Sequence, residues 1–215
     1  MEILPLGHSS FRIRGKTATI VTDPYDSMMV GMKFPKHIEA NIVTVSHAHP
    51  DHNAVSQVEG PPFVISGPGE YEVKGVSVIG VSSFHDAENG ADRGRNTMYR
   101  FDMDGVKIAH LGDLGHVLSS AVVDILDGID ILMIPVGGVF SLDAQKATQV
   151  IADIEPRIVI PMHYKTDQHN PKQFEQIAPV SDFLKAMGKE AVTPVPKLTI
   201  SRDKLPAEMQ VIVLE

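Results

Sequence analysis

Apolar residues in the first half of the chain fall into short runs with turn residues between them. The runs are rich in Val, Ile, Phe and Thr, whereas Gly, Pro, Asn and Asp separate them. Branched and aromatic side chains fit a pleated sheet, so these runs are typical of β-strands. The predicted strands form a hairpin over 11–22, turning at Gly15-Lys16, and then occupy 42–46, 63–66, 76–81, 97–101 and 106–109.

The second half of the chain alternates helical patterns with short apolar strands. Apolar residues three and four positions apart mark the helices, and glycine, proline or a polar cap marks their ends. The predicted helices are 117–126 with Gly128 as its stop, a helix between a Ser141 cap and Pro156, and a region opened by Asn170-Pro171 that Pro179 interrupts and that resumes over 181–187. The predicted strands are 131–134, 158–160, 198–201 and 211–214.

Segment 26–37 follows neither pattern. It carries Met28, Met29, Met32 and Phe34 but also a glycine and a proline, and it is too irregular for a helix. We expect a mobile apolar loop there. The methionines either form an adaptable wall over a functional site or cover the core.

The order of the elements favours an α+β fold, an αββα sandwich. Strands dominate first, and the helices come too late and are too few to cover both faces of one parallel sheet. Two mixed β-sheets packed face to face, with helices on the outer faces, use all the predicted elements. We find no linker or repeat, so the sequence predicts a single domain over 1–215.

Polar clusters recur where predicted strands end. The densest is His47-Ala48-His49-Pro50-Asp51-His52, directly after the apolar run 42–46. Four imidazole or carboxylate groups beside a buried strand are costly unless they bind a cation or form a catalytic network. Strand ends far apart in sequence can meet at one edge of a sandwich, so we expect the site at that edge.

Composition narrows the chemistry of such a site. The chain has no cysteine, so nitrogen and oxygen atoms alone would hold a metal. The net charge of −8 argues against nucleic-acid binding, because an acidic surface repels phosphodiester backbones.

The start of the chain lacks the features of a signal peptide, and no apolar run is long enough to cross a membrane. We therefore expect a cytoplasmic protein without membrane association.

These motifs resemble the metallo-β-lactamase-fold hydrolases over nearly the whole chain. The residues that carry the resemblance are His47-x-His49-x-Asp51-His52, a lone His85, Gly112-Asp113 and Pro161-Met162-His163. Further motifs are similar to the branch related to ascorbate-6-phosphate lactonase and small uncharacterised Zn-dependent hydrolases: Leu6-Gly7-His8-Ser9, Asp23-Pro24, His110-Leu111-Gly112-Asp113-Leu114-Gly115, Ile134-Pro135-Val136-Gly137-Gly138 and Ile160-Pro161-Met162-His163-Tyr164. We expect no extra domain of the kind that the nucleic-acid-processing members have, which argues against that activity.

The resemblance implies two divalent metal ions, with zinc as the first expectation and manganese or iron as alternatives. In this arrangement His47, His49 and His85 form one site, Asp51, His52 and His163 form the other, and Asp113 lies between them. A metal-bound hydroxide would attack the substrate, and Asp51 would also act as the catalytic residue that handles its proton.

Other polar residues have alternative interpretations. Asp86 competes with His85 as a ligand. His110, His8 and Asp23 are expected to orient ligands or line the pocket, whereas His37, His116 and His169 are expected at the surface. Arg93, Arg95 and Lys165 are candidates for binding an anionic end of the substrate, with a solvated loop as the alternative.

The sequence does not identify the bond that is cleaved. We expect hydrolysis of a small-molecule lactone, ester, amide or phosphoester. The alternatives are phosphodiesterase, nuclease or β-lactamase activity of the same fold and, from a different class, a non-catalytic metal-binding regulatory protein. The sequence leaves open whether the chain forms a homo-oligomer.

Overall fold

The structure is a computed structural model that describes residues 1–215, and its strands form two sheets. The strands are β1 (Glu2–Gly7), β2 (Ser10–Arg14), β3 (Thr19–Thr22), β4 (Ile42–Thr44), β5 (Phe63–Ile65), β6 (Gly69–Val73), β7 (Val76–Phe84), β8 (Arg95–Met103), β9 (Val106–His110), β10 (Ile131–Pro135), β11 (Ile158–Met162), β12 (Leu198–Thr199) and β13 (Gln210–Val211). The helices are α1 (Ser27–Val30), α2 (Ser120–Ile125), α3 (Ala144–Ile154), α4 (Pro171–Phe174) and α5 (Val180–Ala186). None of these helices has the length and apolar character needed to span a membrane.

Both sheets mix parallel and antiparallel strands. The six-stranded sheet has the order β12-β1-β2-β3-β4-β5, and β3, β4 and β5 are parallel. The seven-stranded sheet has the order β13-β11-β10-β9-β8-β7-β6, in which β9, β10, β11 and β13 are parallel. The two mixed sheets confirm the predicted αββα sandwich.

Alternating side chains of the buried strands serve two different cores. In β10, Ile131 and Met133 join the apolar cluster between the sheets, whereas Leu132 and Ile134 join the cluster beneath α3 and α5. Successive side chains of a strand point to opposite faces, so a strand covered on both faces is apolar throughout. A third cluster covers the outer face of the first sheet and includes residues of α1 and α4.

Several predicted elements differ from the structure. Segment 26–37 is not wholly a loop, because the Asp26 carboxylate accepts the N–H groups of Met28 and Met29 and caps the short helix α1. Ser141 is not the cap of α3. Asp143 holds that position and accepts the N–H of Lys146. Strands β1 and β6 were not predicted from the sequence.

Candidate metal centre

Parallel strands deliver the polar clusters to one edge of the sandwich. Thr22 of β3 pairs with Thr44 of β4, so the residues that follow these two strands leave the sheet side by side. In the other sheet, Met133 of β10 pairs with both His110 and Ile160. The segments that carry Asp23, His47 to His52, Asp113 and His163 therefore converge, as the sequence predicted.

Three imidazoles form the first group of possible ligands, here called the three-histidine group: His47, His49 and His85. Their ligand nitrogens lie within 4.8 Å of one another. The His47 ring centroid is 4.6 Å from that of His49 and 4.6 Å from that of His85. His49 is half-buried and the other two are buried, so the group faces solvent on one side only.

A second set combines imidazoles with a carboxylate. Asp51, His52 and His163, here called the mixed group, have ligand atoms within 4.8 Å of one another and of a nitrogen of His8. All three members are buried. The mixture provides negative charge that the three-histidine group lacks.

Asp113 lies between the two groups. Its Oδ2 is 3.2 Å from Nε2 of both His52 and His163 and 3.3 Å from Nε2 of His85. The Nε2 of His47 is 3.9 Å away. One carboxylate oxygen therefore faces imidazoles of both groups.

The donor atoms of this cluster fit a divalent metal. Nε2 of His47, His52 and His163 and Oδ1 of Asp113 are buried and have no hydrogen-bond partner. Leaving such atoms unpaired away from water costs about 1–3 kcal/mol each. A cation ligated by these atoms would offset that cost, and an all-nitrogen-and-oxygen set suits zinc, manganese or iron.

The buried Asp23 carboxylate fixes the orientation of two of these rings. Its Oδ2 accepts the Nδ1–H of His52 at 2.8 Å and the Ser46 hydroxyl at 2.6 Å, while Oδ1 accepts the Ser46 N–H. Because the Ser46 hydroxyl donates to Asp23, its oxygen accepts from Nδ1–H of His47 at 2.9 Å. His47 and His52 thus each leave Nε2 free for a metal.

The electrostatics separate the two groups. Burial lowers the pKa of His47 to about 3, so this ring is neutral. Burial alone would raise the pKa of Asp113, but His163 and His52 hold it well below its usual range. Burial likewise opposes ionisation of Asp51, and His52 and His8 lower its pKa nevertheless. Burial alone would lower the pKa of His52, but the Asp113 and Asp51 carboxylates raise it well above its usual value. A divalent cation bound here would replace that proton as the counter-charge of the ionised carboxylates.

His110 and Asp86 have other partners. Nε2–H of His110 donates to the Ser9 carbonyl at 2.8 Å, and its Nδ1 accepts the Gly112 N–H. His110 therefore has no nitrogen left for a metal. Asp86 accepts four backbone N–H groups of the loop that follows it, from Glu88, Gly90, Asp92 and Arg93. The geometry thus favours His85 over Asp86 as the ligand.

A cavity of about 260 Å³ opens onto the cluster. Its polar lining includes His49, Asp51, His85 and Asp113, and its walls include Met29, Arg93, Phe140 and Phe174. The Arg93 guanidinium lies 4.6 Å from the Phe140 ring centroid. Met29 is thus a wall residue, whereas Met32 and Phe34 belong to the core.

The other two cationic side chains that were predicted to bind the substrate do not line this cavity. Arg95 is exposed at the start of β8. Lys165 lines a separate cavity of about 620 Å³ behind His8, where its Nζ donates to the Glu175 carbonyl.

Sequence reasoning missed several residues around the cluster. His169 was expected at the surface but is buried, with a ring nitrogen 3.1 Å from His8. His37 is exposed, as expected. Asn96 was not predicted; its Oδ1 accepts the Asp113 N–H, and its amide donates to Ser83 and Leu111. No local motif marks either His169 or Asn96, because each acts through a contact distant in sequence.

Three cluster residues have left-handed backbone conformations. The φ angles of His8, Asp23 and His163 are 55°, 39° and 53°. Residues other than glycine seldom adopt this region, and such strain concentrates at functional sites. The surrounding packing must therefore hold these three turns in place.

Comparisons with known proteins show which family the chain belongs to. Residues 2–163 match the Beta-lactamase superfamily domain. A UPF0173 metal-dependent hydrolase of Thermococcus onnurineus is 29% identical, with 80% of this chain and 89% of the relative aligned. A similarly named protein of Thermoplasma acidophilum is 28% identical, with 83% and 91% aligned.

A solved structure resembles the whole chain. It comes from Thermotoga maritima and is named as a Zn-dependent hydrolase of the metallo-β-lactamase superfamily. It is 36% identical, has a TM-score of 0.82, and the match covers 99% of this chain and 97% of the other. The chain belongs to the β-lactamase superfamily and is a metal-dependent hydrolase with the metallo-β-lactamase fold.

Proposed function

We propose that the protein is a dinuclear hydrolase of small anionic molecules. The three-histidine group would hold one divalent ion, the mixed group would hold the second, and Asp113 would be shared. The position of Asp113 Oδ2, 3.2–3.3 Å from Nε2 of His52, His85 and His163, is the observation that carries this proposal. We also propose that 1–215 forms one domain, because residues of both sheets share one apolar cluster.

Zinc is the ion we propose first. Five imidazole donors and the carboxylates of Asp51 and Asp113 suit zinc, and manganese or iron would accept the same atoms. Bound divalent ions would supply Lewis acidity and lower the pKa of a coordinated water towards about 7.

The protein's own groups would orient the substrate and move the proton. Asp51 lines the cavity, and its Oδ2 is 3.3 Å from Nε2 of His8. Its Oδ1 has no hydrogen bond within the protein, so we assign to this atom the proton that the attacking water loses. Phe140 and Phe174 would exclude bulk water from the reacting bond.

Arg93 indicates the class of substrate. Arg93 lines the cavity that also contains Asp51 and Asp113, and its guanidinium packs on the Phe140 ring. Guanidinium groups bind carboxylates and phosphates through paired hydrogen bonds. A cavity of about 260 Å³ fits a compact molecule rather than a polymer. We therefore favour a carboxylate- or phosphate-bearing ester or lactone over a nucleic acid.

A substrate screen with metal-loaded protein tests the proposal. Chromogenic esters, lactones, a cephalosporin and bis-phosphodiesters would be compared, with Asp51→Ala as the blank. We expect turnover of small anionic esters or lactones that the blank lacks. Equal rates in the wild-type protein and the blank for every compound would contradict the proposed catalytic role.

Two arginine variants test the substrate class. Arg93→Ala should raise KM for an anionic substrate by about tenfold or more, because a charged hydrogen bond contributes about 1.5–3 kcal/mol. KM for its neutral analogue should change little. Arg95→Ala is the matched control, since Arg95 is two residues away and does not line the cavity. Equal KM values for Arg93→Ala and Arg95→Ala would refute an anion-binding role of Arg93.

A further inference from the structure

A chain of three hydrogen-bonded groups runs behind Asp51, on the side away from the substrate cavity. The Thr166 N–H donates to Nδ1 of His169 at 3.0 Å. Nε2 of His169 lies 3.1 Å from Nδ1 of His8, and Nε2 of His8 lies 3.3 Å from Oδ2 of Asp51. The first contact is local, whereas His8 is 161 positions from His169 and 43 positions from Asp51.

The first contact fixes the direction of all the others. A backbone N–H can only donate, so Nδ1 of His169 accepts and carries no proton. The proton of that ring is then on Nε2, which donates to Nδ1 of His8. Nδ1 of His8 is therefore also unprotonated, and the Nε2–H of His8 donates to Asp51.

This direction decides the role of His8. Nitrogens and oxygens of His8, Asp51, His52 and His163 lie within 4.8 Å of one another, so proximity alone would make His8 a fourth ligand. A protonated nitrogen has no lone pair for a metal. The only unprotonated nitrogen of His8, Nδ1, faces His169 instead.

We propose that His8, oriented by His169 and Thr166, is a positioning residue that holds Asp51 and is not itself a metal ligand. Oδ2 of Asp51 accepts from His8 and also lies 3.6 Å from Nε2 of His52, so the hydrogen bond fixes the oxygen that would face a cation in the mixed group. This inference rests on the proposed function only in treating Asp51 as a metal ligand.

Packing supports a fixed His8 ring. Its side chain has no solvent exposure. The ring centroid lies 4.2 Å from that of His163 and 5.1 Å from that of Phe174. The loop after β11 supplies both His163 and His169, so one segment carries a proposed ligand and the anchor of its neighbour.

Nuclear magnetic resonance of the full chain tests the hydrogen-bond direction without any substitution. Long-range ¹H–¹⁵N correlations of histidine-labelled, metal-free protein distinguish protonated from bare ring nitrogens. We expect His8 and His169 both to carry the proton on Nε2. A proton on Nδ1 of His8 would overturn the inference.

Loading the same protein with ¹¹³Cd tests which residues bind the metal. We expect ¹¹³Cd–¹⁵N couplings to His52 and His163 and none to His8. A coupling to His8 would overturn the positioning role alone. Absence of coupling to His52 and His163 would contradict the proposed ligand set and, with it, the role of His8 toward that set.

Two variants of His8 provide an independent readout. The amide of His8→Gln can donate to Asp51 and accept from His169, whereas His8→Leu can do neither. We expect His8→Leu to lose about 10–100-fold in Zn²⁺ affinity, measured against a chromogenic chelator, and His8→Gln to recover most of that loss. Wild-type affinity in a folded His8→Leu protein would overturn the inference.

Discussion

The two groups of proposed ligands differ in how the protein holds them. In the mixed group, His52 is bonded to Asp23 and Asp51 to His8, whereas neither ring nitrogen of His163 has a hydrogen-bond partner. In the three-histidine group only His47 has a hydrogen-bonded ring nitrogen, through Ser46. His49 is half-buried without a hydrogen bond to its ring, and Nδ1 of His85 is unpartnered.

This difference indicates that the two groups depend on a bound metal for their geometry to different extents. Hydrogen bonds to Asp23 and from His8 pre-arrange His52 and Asp51, two of the three members of the mixed group, so this group should bind a cation with less rearrangement. The rings of His49 and His85 lack such support, and a bound cation would have to hold them. The mixed group should therefore be the tighter site.

The largest expected effect comes from removing the residue between the groups. Asp113→Ala deletes the oxygen that faces His52, His85 and His163, and it leaves neighbouring imidazoles without a counter-charge. We expect a loss of activity on the order of 100-fold or more and loss of metal from both groups. Metal analysis by mass spectrometry checks this. Asp127→Ala removes an exposed carboxylate and serves as the control; equal metal content in both variants would contradict the role of Asp113.

A substitution of Asp23 should weaken both groups. Asp23→Asn keeps the volume but removes the charge that orients His52 directly and His47 through Ser46. We expect metal affinity to fall by about 10–100-fold at both sites, measured by stepwise Zn²⁺ titration. Ser46→Ala should affect the three-histidine group more than the mixed group. If the Asp23→Asn and Ser46→Ala substitutions both lower metal affinity at one and the same site, the proposed difference between the two groups is wrong.

A crowding substitution tests how rigidly the mixed group is held. A Cβ on Gly137 would collide with the carbonyl oxygen of His163, whereas a Cβ on Gly67 would meet no atom within 4 Å. Gly137→Ala should cost about 1–3 kcal/mol of unfolding free energy, and Gly67→Ala should be close to neutral. Chemical denaturation measures both. A stable Gly137→Ala protein would mean that the His163 turn can shift.

The smallest expected effect concerns the loop that carries Arg93. Asp86 accepts four backbone N–H groups there, and Asp86→Asn replaces one accepting oxygen with a donor. The loosened loop should raise KM for an anionic substrate by about threefold, with little change in kcat. Steady-state kinetics would measure KM and kcat separately. A fall in kcat with unchanged KM would instead indicate a disturbed His85.

The sequence predicted most of the fold because the strands are short, apolar and clearly bounded. It also predicted the cluster, since His47 to His52 directly follow a strand, and Asp113 and His163 follow others. It did not predict α1, because four residues are too few for a helical period and the Asp26 cap stands among methionines.

The sequence could not predict contacts between segments that are far apart in the chain. His169 lies in a polar loop and is buried because it packs against His8 and Phe174. Charge alone likewise could not show that Arg93 faces the cavity while Arg95 and Lys165 lie elsewhere. Side-chain direction on an irregular loop depends on partners that local periodicity does not reveal.

Anomalous X-ray diffraction from crystals of the zinc-loaded protein, measured at the zinc edge, tests the central claim most directly. The account predicts two peaks, one among His47, His49 and His85 and one among Asp51, His52 and His163, with Asp113 beside both. A single peak at full occupancy, or peaks away from these residues, would contradict it.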